Sequence, residues 1–356
     1  MFVYFNFIIN KKNGLKPNKL PRPADIAWHY MSAFAHKELS NKHISEQQLE
    51  AIYLALFFIV SPCIALTYAN GSYLILPQIE NEVKLDRLDS NIINRVLSRL
   101  CSRFSKKYLD VEYLLQETLL RDAAIVRHER RNSVKDKNDF QIEKKALEII
   151  RYLMILNKQL THKLNESTCV SLWNHIWDIL FDGTDIYFDT KDLASTSTKA
   201  EMLAHEIALG PIPSQVLNNE RKTIMLLRGR DGSVSGHAYL REYAFNEHKP
   251  FSESQSRPNS IPTQLLSLNR SVCKWALPDR TLIFIDAYGM KATVHGMKII
   301  DGFFGTKPLG DIMLPTTKYE LKEFLEGDSL KLLFRYKEHM CSYVENSRLQ
   351  SLTWYC

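Results

Sequence analysis

The stretch that decides the fold is RKTIMLLRGRDGSVSGHAYLREYAFNEHKP, Arg221 to Pro250. Two runs rich in aliphatic and aromatic residues, KTIMLLR and HAYLREYAF, flank Asp231-Gly232. An Asp-Gly pair between two such runs is a hairpin signal, because both residues accept the positive backbone angles of a tight turn. Strict alternation through the second run puts Arg241, Tyr243 and Phe245 on one face and Leu240, Glu242 and Ala244 on the other. Glu242 then points toward an apolar side, which is costly for an acid without a partner. The stretch closes on Glu247 and Lys249, an acid and a lysine two residues apart.

The pattern around the hairpin extends it into a domain. Upstream, STCVSLWNHIWDILFDG places Trp173, Ile176, Trp177 and Leu180 on one stripe at helical spacing, and Gly183 is a natural terminator. Downstream, RTLIFIDAYG and KATVHGMKIIDGFFG read as further strands, after the loop FSESQSRPNSIPTQ. Asp286, the one acid in LIFIDAYG, reads as a cap where the strand enters its turn. The tail returns to helix and divides at Gly327. Helix, strands, helix predicts an α/β or α+β domain over residues 166–356.

The first half has a different texture. Residues 1–40 read as a leader, and residues 41–165 as mainly helical. In SNIINRVLSRLCSRF the residues Ile92, Ile93, Val96, Leu97, Leu100 and Phe104 form an apolar stripe, with Arg95, Arg99 and Arg103 on another face. A second helix, DFQIEKKALEIIRYLMILNKQL, buries Ile142, Leu147, Ile150, Leu153 and Met154. Ala51–Ala69 is uncharged and near the length of a membrane span. Ser45 and Gln48 form a capping box, Pro62 would break a helix, and Asn70-Gly71 sits between apolar runs. The segment therefore reads as a buried helix followed by a hairpin near residues 63–77, and a membrane partner is not expected.

Of the 356 residues, 45% are hydrophobic and 24% charged, the balance of a folded globular chain. Six widely spaced cysteines without a CxxC pair argue against a zinc ribbon or disulfide scaffold and point to an intracellular protein. Phosphate-loop, dinucleotide, zinc-protease and serine-hydrolase signatures are missing; HEIALG at His205-Glu206 lacks the second histidine of a zinc protease. The net charge of +6 suits a polyanionic partner. Candidates for such contacts are the Arg95, Arg99, Arg103 stripe and the charged break RHERRNSVKDK, with Arg127, Arg130 and Arg131. Both also read as ordinary solvated surface, and the helices could equally present a surface to a protein partner.

A helix with WNHIWDILFDG, then Arg-Lys opening a strand, a hairpin and Glu247-x-Lys249, resembles the PD-(D/E)XK nuclease-like superfamily, in a texture similar to uncharacterised fungal members. The resemblance covers about residues 167–345. It implies a restriction-endonuclease-like mixed sheet flanked by helices, and nucleic acid as partner. It further implies Mg²⁺ held by an acid of the first long strand and by Glu247, with Lys249 near the attacking water. The position for the strand acid is Ile224. Asp231 is then the substitute metal ligand beside Glu247, and Glu242 a further catalytic candidate. The sequence departs from the pattern at Ile224, so catalysis is expected to be impaired. The rival expectation is a non-enzymatic scaffold.

Overall fold

A computed structural model describes residues 32–41, 43–45, 48, 51–52, 54–55, 58–61, 75–85, 90–106, 113, 116–117, 119–120, 134–159, 166–189, 224–231, 239–249, 263–275 and 280–353. The principal helices among the described residues are α1 (Leu76–Glu82), α2 (Ser90–Lys106), α3 (Val134–Gln159), α4 (Glu166–Phe181), α5 (Thr263–Trp275), α6 (Lys318–Glu326) and α7 (Ser329–Thr353). The strands are β1 (Ile59–Val60), β2 (Ile186–Asp189), β3 (Ile224–Asp231), β4 (Tyr239–Lys249), β5 (Leu282–Tyr288), β6 (Lys291–Ile300) and β7 (Phe303–Met313). The class is α/β. One mixed sheet runs β1-β7-β6-β5-β4-β3-β2. Its β2, β3 and β4 form an antiparallel meander, and β4 meets β5 in parallel after the crossover through α5. Among the described residues the elements follow in the order α4–β2–β3–β4–α5–β5, to which β6 and β7 add an antiparallel extension.

The helical stripes read from the sequence become the core. Trp173 and Trp177 of α4 are fully buried and stack at 5.5 Å, and Trp177 meets Tyr336 of α7. The indole of Trp173 donates to the Gly289 carbonyl at 2.9 Å, so its single polar group is satisfied inside the core. After α4, Gly183 takes a positive φ of 70° that suits glycine at a helix end. The last turn of α4 has no basic residue of its own. Lys145 of α3 supplies one from outside, donating to Leu180 O at 3.0 Å and Asp182 O at 2.5 Å. Burial, and then the neighbouring Lys337, push that amine down to about 8.

The first half of the chain shares this core. Ile93, Val96, Leu97 and Leu100 of α2, with Ile142, Leu147, Ile150 and Leu153 of α3, join the cluster that backs the sheet. A boundary near residue 165 therefore separates textures of sequence, not two interiors. Ser45 and Gln48 make the expected capping box: Gln48 N donates to Ser45 Oγ at 3.2 Å and Ser45 N to Gln48 Oε1 at 2.9 Å. Ala51, Ile52, Leu54 and Ala55 are buried, and Ile59–Val60 form the edge strand beside β7. Among the described residues no helix is long and apolar enough to cross a membrane.

One expectation needs correction here. The hairpin near 63–77 was to end in a strand, but Leu76 and Pro77 begin α1. Proline fits the first turn of a helix, where its missing N–H has no partner to lose; the rest of that hairpin, 63–74, lies outside the described residues. The expected leader over 1–40 includes a helix at 32–39. α1 packs close to the sheet because β6 and β7 present glycines to it. A Cβ on Gly305 would stand 2.7 Å from Ile79 Cγ1, and one on Gly296 2.7 Å from Val83 Cγ1.

Candidate functional site

Register decides which side chains can meet. On its antiparallel flank β4 pairs Glu247 with Ile224, and on its parallel flank it pairs Glu247 with Asp286. Asp286 continues through Thr293 of β6 to Asp311 of β7. Ile224, Glu247, Asp286, Thr293 and Asp311 therefore form one row across five strands, on one face of the sheet. The next row on that face is Lys249, Tyr288, Lys291 and Met313.

The row passes from interior to solvent. Glu247 and Asp286 are buried, at 6% and 3% exposure, while Asp311 is half exposed. The Tyr288 hydroxyl donates to the Asp286 carboxylate, and the phenol is pushed well above its ordinary range. Burial is the main cause, followed by the Asp286 charge, that hydrogen bond, and Glu247. Tyr288 is therefore a fixed donor at neutral pH. At the outer end Thr293 Oγ1 donates to Asp311 Oδ1 at 2.7 Å, and Lys291 Nζ lies 3.1 Å from Asp311 Oδ2.

Two asparagines hold β4 in place below Glu247. The β4–β5 ladder begins only at Glu247–Asp286, so the preceding backbone of β4 needs other partners on that flank. Asn269 of α5 supplies both for Phe245: its Oδ1 accepts from Phe245 N at 3.0 Å, and its Nδ2 donates to Phe245 O at 2.9 Å. Asn246 bridges to the neighbouring strand, with Oδ1 accepting from Ile285 N at 2.8 Å and Nδ2 donating to Tyr336 Oη at 3.3 Å. Both amides are fully buried. The sequence reading passed over both residues, although a lone asparagine inside an apolar strand or helix is a visible signal.

The candidate residues do not converge as a set. Asp231 is the last residue of β3, paired with Tyr239, whereas Glu247 pairs with Ile224 at the strand's other end. That separation is about 23 Å at ordinary strand rise, so Asp231 and Glu247 cannot share one ion. Glu242 also departs from strict alternation. A register shift beside Leu227/Arg228 leaves Tyr243 extra, so Glu242 pairs with Arg228 and returns to the face of Phe245 and Glu247. It lies buried four pairings from Glu247, with Arg228 at 3.9 Å as its counter-ion. Lys249 ends β4 opposite Tyr288. Asp286 is no turn cap: it sits inside β5, two residues before the strand ends.

The Mg²⁺ site that the resemblance implies is therefore not met by the residues named for it. Among the described residues no three of His, Cys, Asp and Glu stand close enough together to hold a metal ion. What the fold does bring together is the pair Glu247–Asp286.

The basic stripe on α2 also finds partners inside the chain. Arg95 and Arg99 both lie 2.7 Å from the Asp139 carboxylate, and Arg103 is paired with Glu117 and Glu143. The segment with Arg127, Arg130 and Arg131, and His205-Glu206, lie outside the described residues. Comparison of the chain with family models, curated proteins and solved structures finds no match.

Proposed function

We propose that the chain is a divergent PD-(D/E)XK nuclease-like protein, impaired in hydrolysis and associated with nucleic acid. The observation that carries this reading is the register at Glu247. In the unit α4–β2–β3–β4–α5–β5, Glu247-x-Lys249 closes the third strand, and the position across from Glu247 on the second strand is Ile224. A hydrolytic site of that superfamily needs an oxygen ligand there, because Mg²⁺ is held by oxygen donors. Isoleucine offers none. Burial of Glu247 and Asp286 adds to the impairment, since an ion bridging substrate phosphate must reach both carboxylates.

The test measures binding and cleavage together. Labelled DNA and RNA are titrated with the full chain at two salt concentrations, with and without Mg²⁺. The expected outcome is salt-sensitive association without Mg²⁺-dependent cleavage. A second reading, a protein-interaction scaffold, is favoured by the pairing of Arg95, Arg99 and Arg103 with acids of the same chain. Failure to bind nucleic acid at low salt would select it.

A further inference from the structure

Away from Glu247, the buried polar atoms that have no hydrogen-bond partner among the described residues include Ser61 Oγ, Thr306 Oγ1 and His295 Nδ1. Their residues are 2%, 0% and 4% exposed. Such groups are rare in folded proteins and call for an occupant. Register brings these three together. β1 pairs in parallel with β7 through Ile59–Phe304 and Val60–Gly305, and buried Ser61 follows directly where that pairing ends, beside the Thr306 step of β7. Because Ser61 precedes a proline, extended backbone is favoured at that position, the conformation that keeps Ser61 on the Ile59 face of the strand. Thr306 pairs with Met297, and His295 lies one pleat further along β6 on the same face, opposite Pro308. Neighbouring strands are about 4.8 Å apart, and diagonal neighbours about 7 Å.

The surrounding chemistry is that of donors. Arg270 of α5 holds its guanidinium 5.1 Å from the centre of the Phe304 ring, and Phe304 precedes Thr306 by two residues on that face. His295 stacks on Phe284 at 5.5 Å and is pushed down to about 4, first by burial, with Asp311 opposing. At neutral pH it is a neutral imidazole with one N–H to give. Asp311, the acid that acts on His295, is itself engaged by Lys291 and Thr293.

We infer that Ser61, Thr306 and His295, with Arg270 beside them, form a binding site for a small phosphate-like oxyanion. Two hydroxyls, an imidazole N–H and a guanidinium match an oxyanion, which accepts hydrogen bonds on every side and carries the opposite charge to arginine. This site shares no residue with the Glu247 row and does not depend on a nuclease-like origin.

The experiment titrates the full chain with inorganic phosphate in chloride buffer, followed by calorimetry and phosphorus NMR line-broadening. Thr306→Val and Ser61→Ala should each weaken binding about tenfold, the loss of one hydrogen bond to a charged group. Thr306→Ser keeps the hydroxyl and should retain affinity, which separates loss of the ligand contact from loss of the fold. Lys298→Gln, which breaks a pair with Glu82 on the opposite face of the sheet, should leave phosphate binding unchanged. Competition then identifies the source of the phosphate. Displacement by a terminally phosphorylated but not a hydroxyl-ended oligonucleotide assigns the site to a nucleic-acid end; no displacement assigns it to free phosphate. Absence of saturable binding at millimolar phosphate, or equal affinity of wild type and Thr306→Val, would overturn the inference and leave a site for buried water.

Discussion

The two flanks of β4 treat the same carboxylate differently. On the antiparallel flank Glu247 faces Ile224, and the nearest acid of that strand, Asp231, is seven residues along. On the parallel flank it faces Asp286, which lies 39 residues further along the chain. Closeness in sequence suggested that Asp231, Glu242 and Glu247 belong together, whereas pairing register joins Glu247 to an acid that looked like a turn residue. Strands separated by a helical crossover can place distant residues side by side, and only their register says which ones.

That contrast breaks most severely at Asn269, whose side chain fixes β4 where the parallel flank begins. Asn269→Ala strands the N–H and C=O of Phe245 in a buried position. It should cost about 4 kcal/mol, from two unsatisfied groups, read as a lowered denaturation midpoint. A cost within the error of a surface substitution would show that β4 holds its register without the amide.

A second break uses pH and the β6 side of the sheet. The folded-state pKa of His295 lies below its ordinary value, so the unfolded chain takes up the proton first. The stability tied to neutral His295 is fully present above about pH 6.5 and is lost as pH falls toward about 4. The full loss is on the order of 3 kcal/mol. Denaturation of wild type against His295→Phe across that window, in phosphate-free buffer, should show a steeper fall for wild type; parallel curves would refute it.

On the antiparallel flank, Arg228→Met removes the counter-ion that register places beside buried Glu242. The expected cost is about 3 kcal/mol, the order of removing one member of a buried ion pair. By contrast Arg99, more than half exposed, shares Asp139 with Arg95. Arg99→Ala should therefore cost less than about 1 kcal/mol. If the two variants cost the same, burial is not what separates the two ion pairs.

Much of the architecture was legible because it rests on local periodicity. The stripes of α2, α3 and α4, the Ser45–Gln48 box, the glycine after α4 and the break at Gly327 all depend on residues within a few positions of each other. The site depended on long-range register, which no local pattern encodes. The extra residue at Tyr243 defeats strict alternation and moves Glu242 to another face. The partner of Arg95 is 44 residues away, so the stripe looked like free surface charge. Asp286 was visible as the one acid in an apolar strand, yet its neighbour could not be read without the parallel pairing.

The central claim, that the scaffold is kept while its chemistry is impaired at Ile224, is tested most directly by a paired assay of wild type and Ile224→Asp. Both are titrated with Mn²⁺ by calorimetry and then incubated with labelled nucleic acid at low salt. The account expects wild type to bind nucleic acid without metal-dependent cleavage, and Ile224→Asp to gain metal binding that Glu247→Gln removes. Metal-dependent cleavage by wild type, abolished by Glu247→Gln, would contradict it.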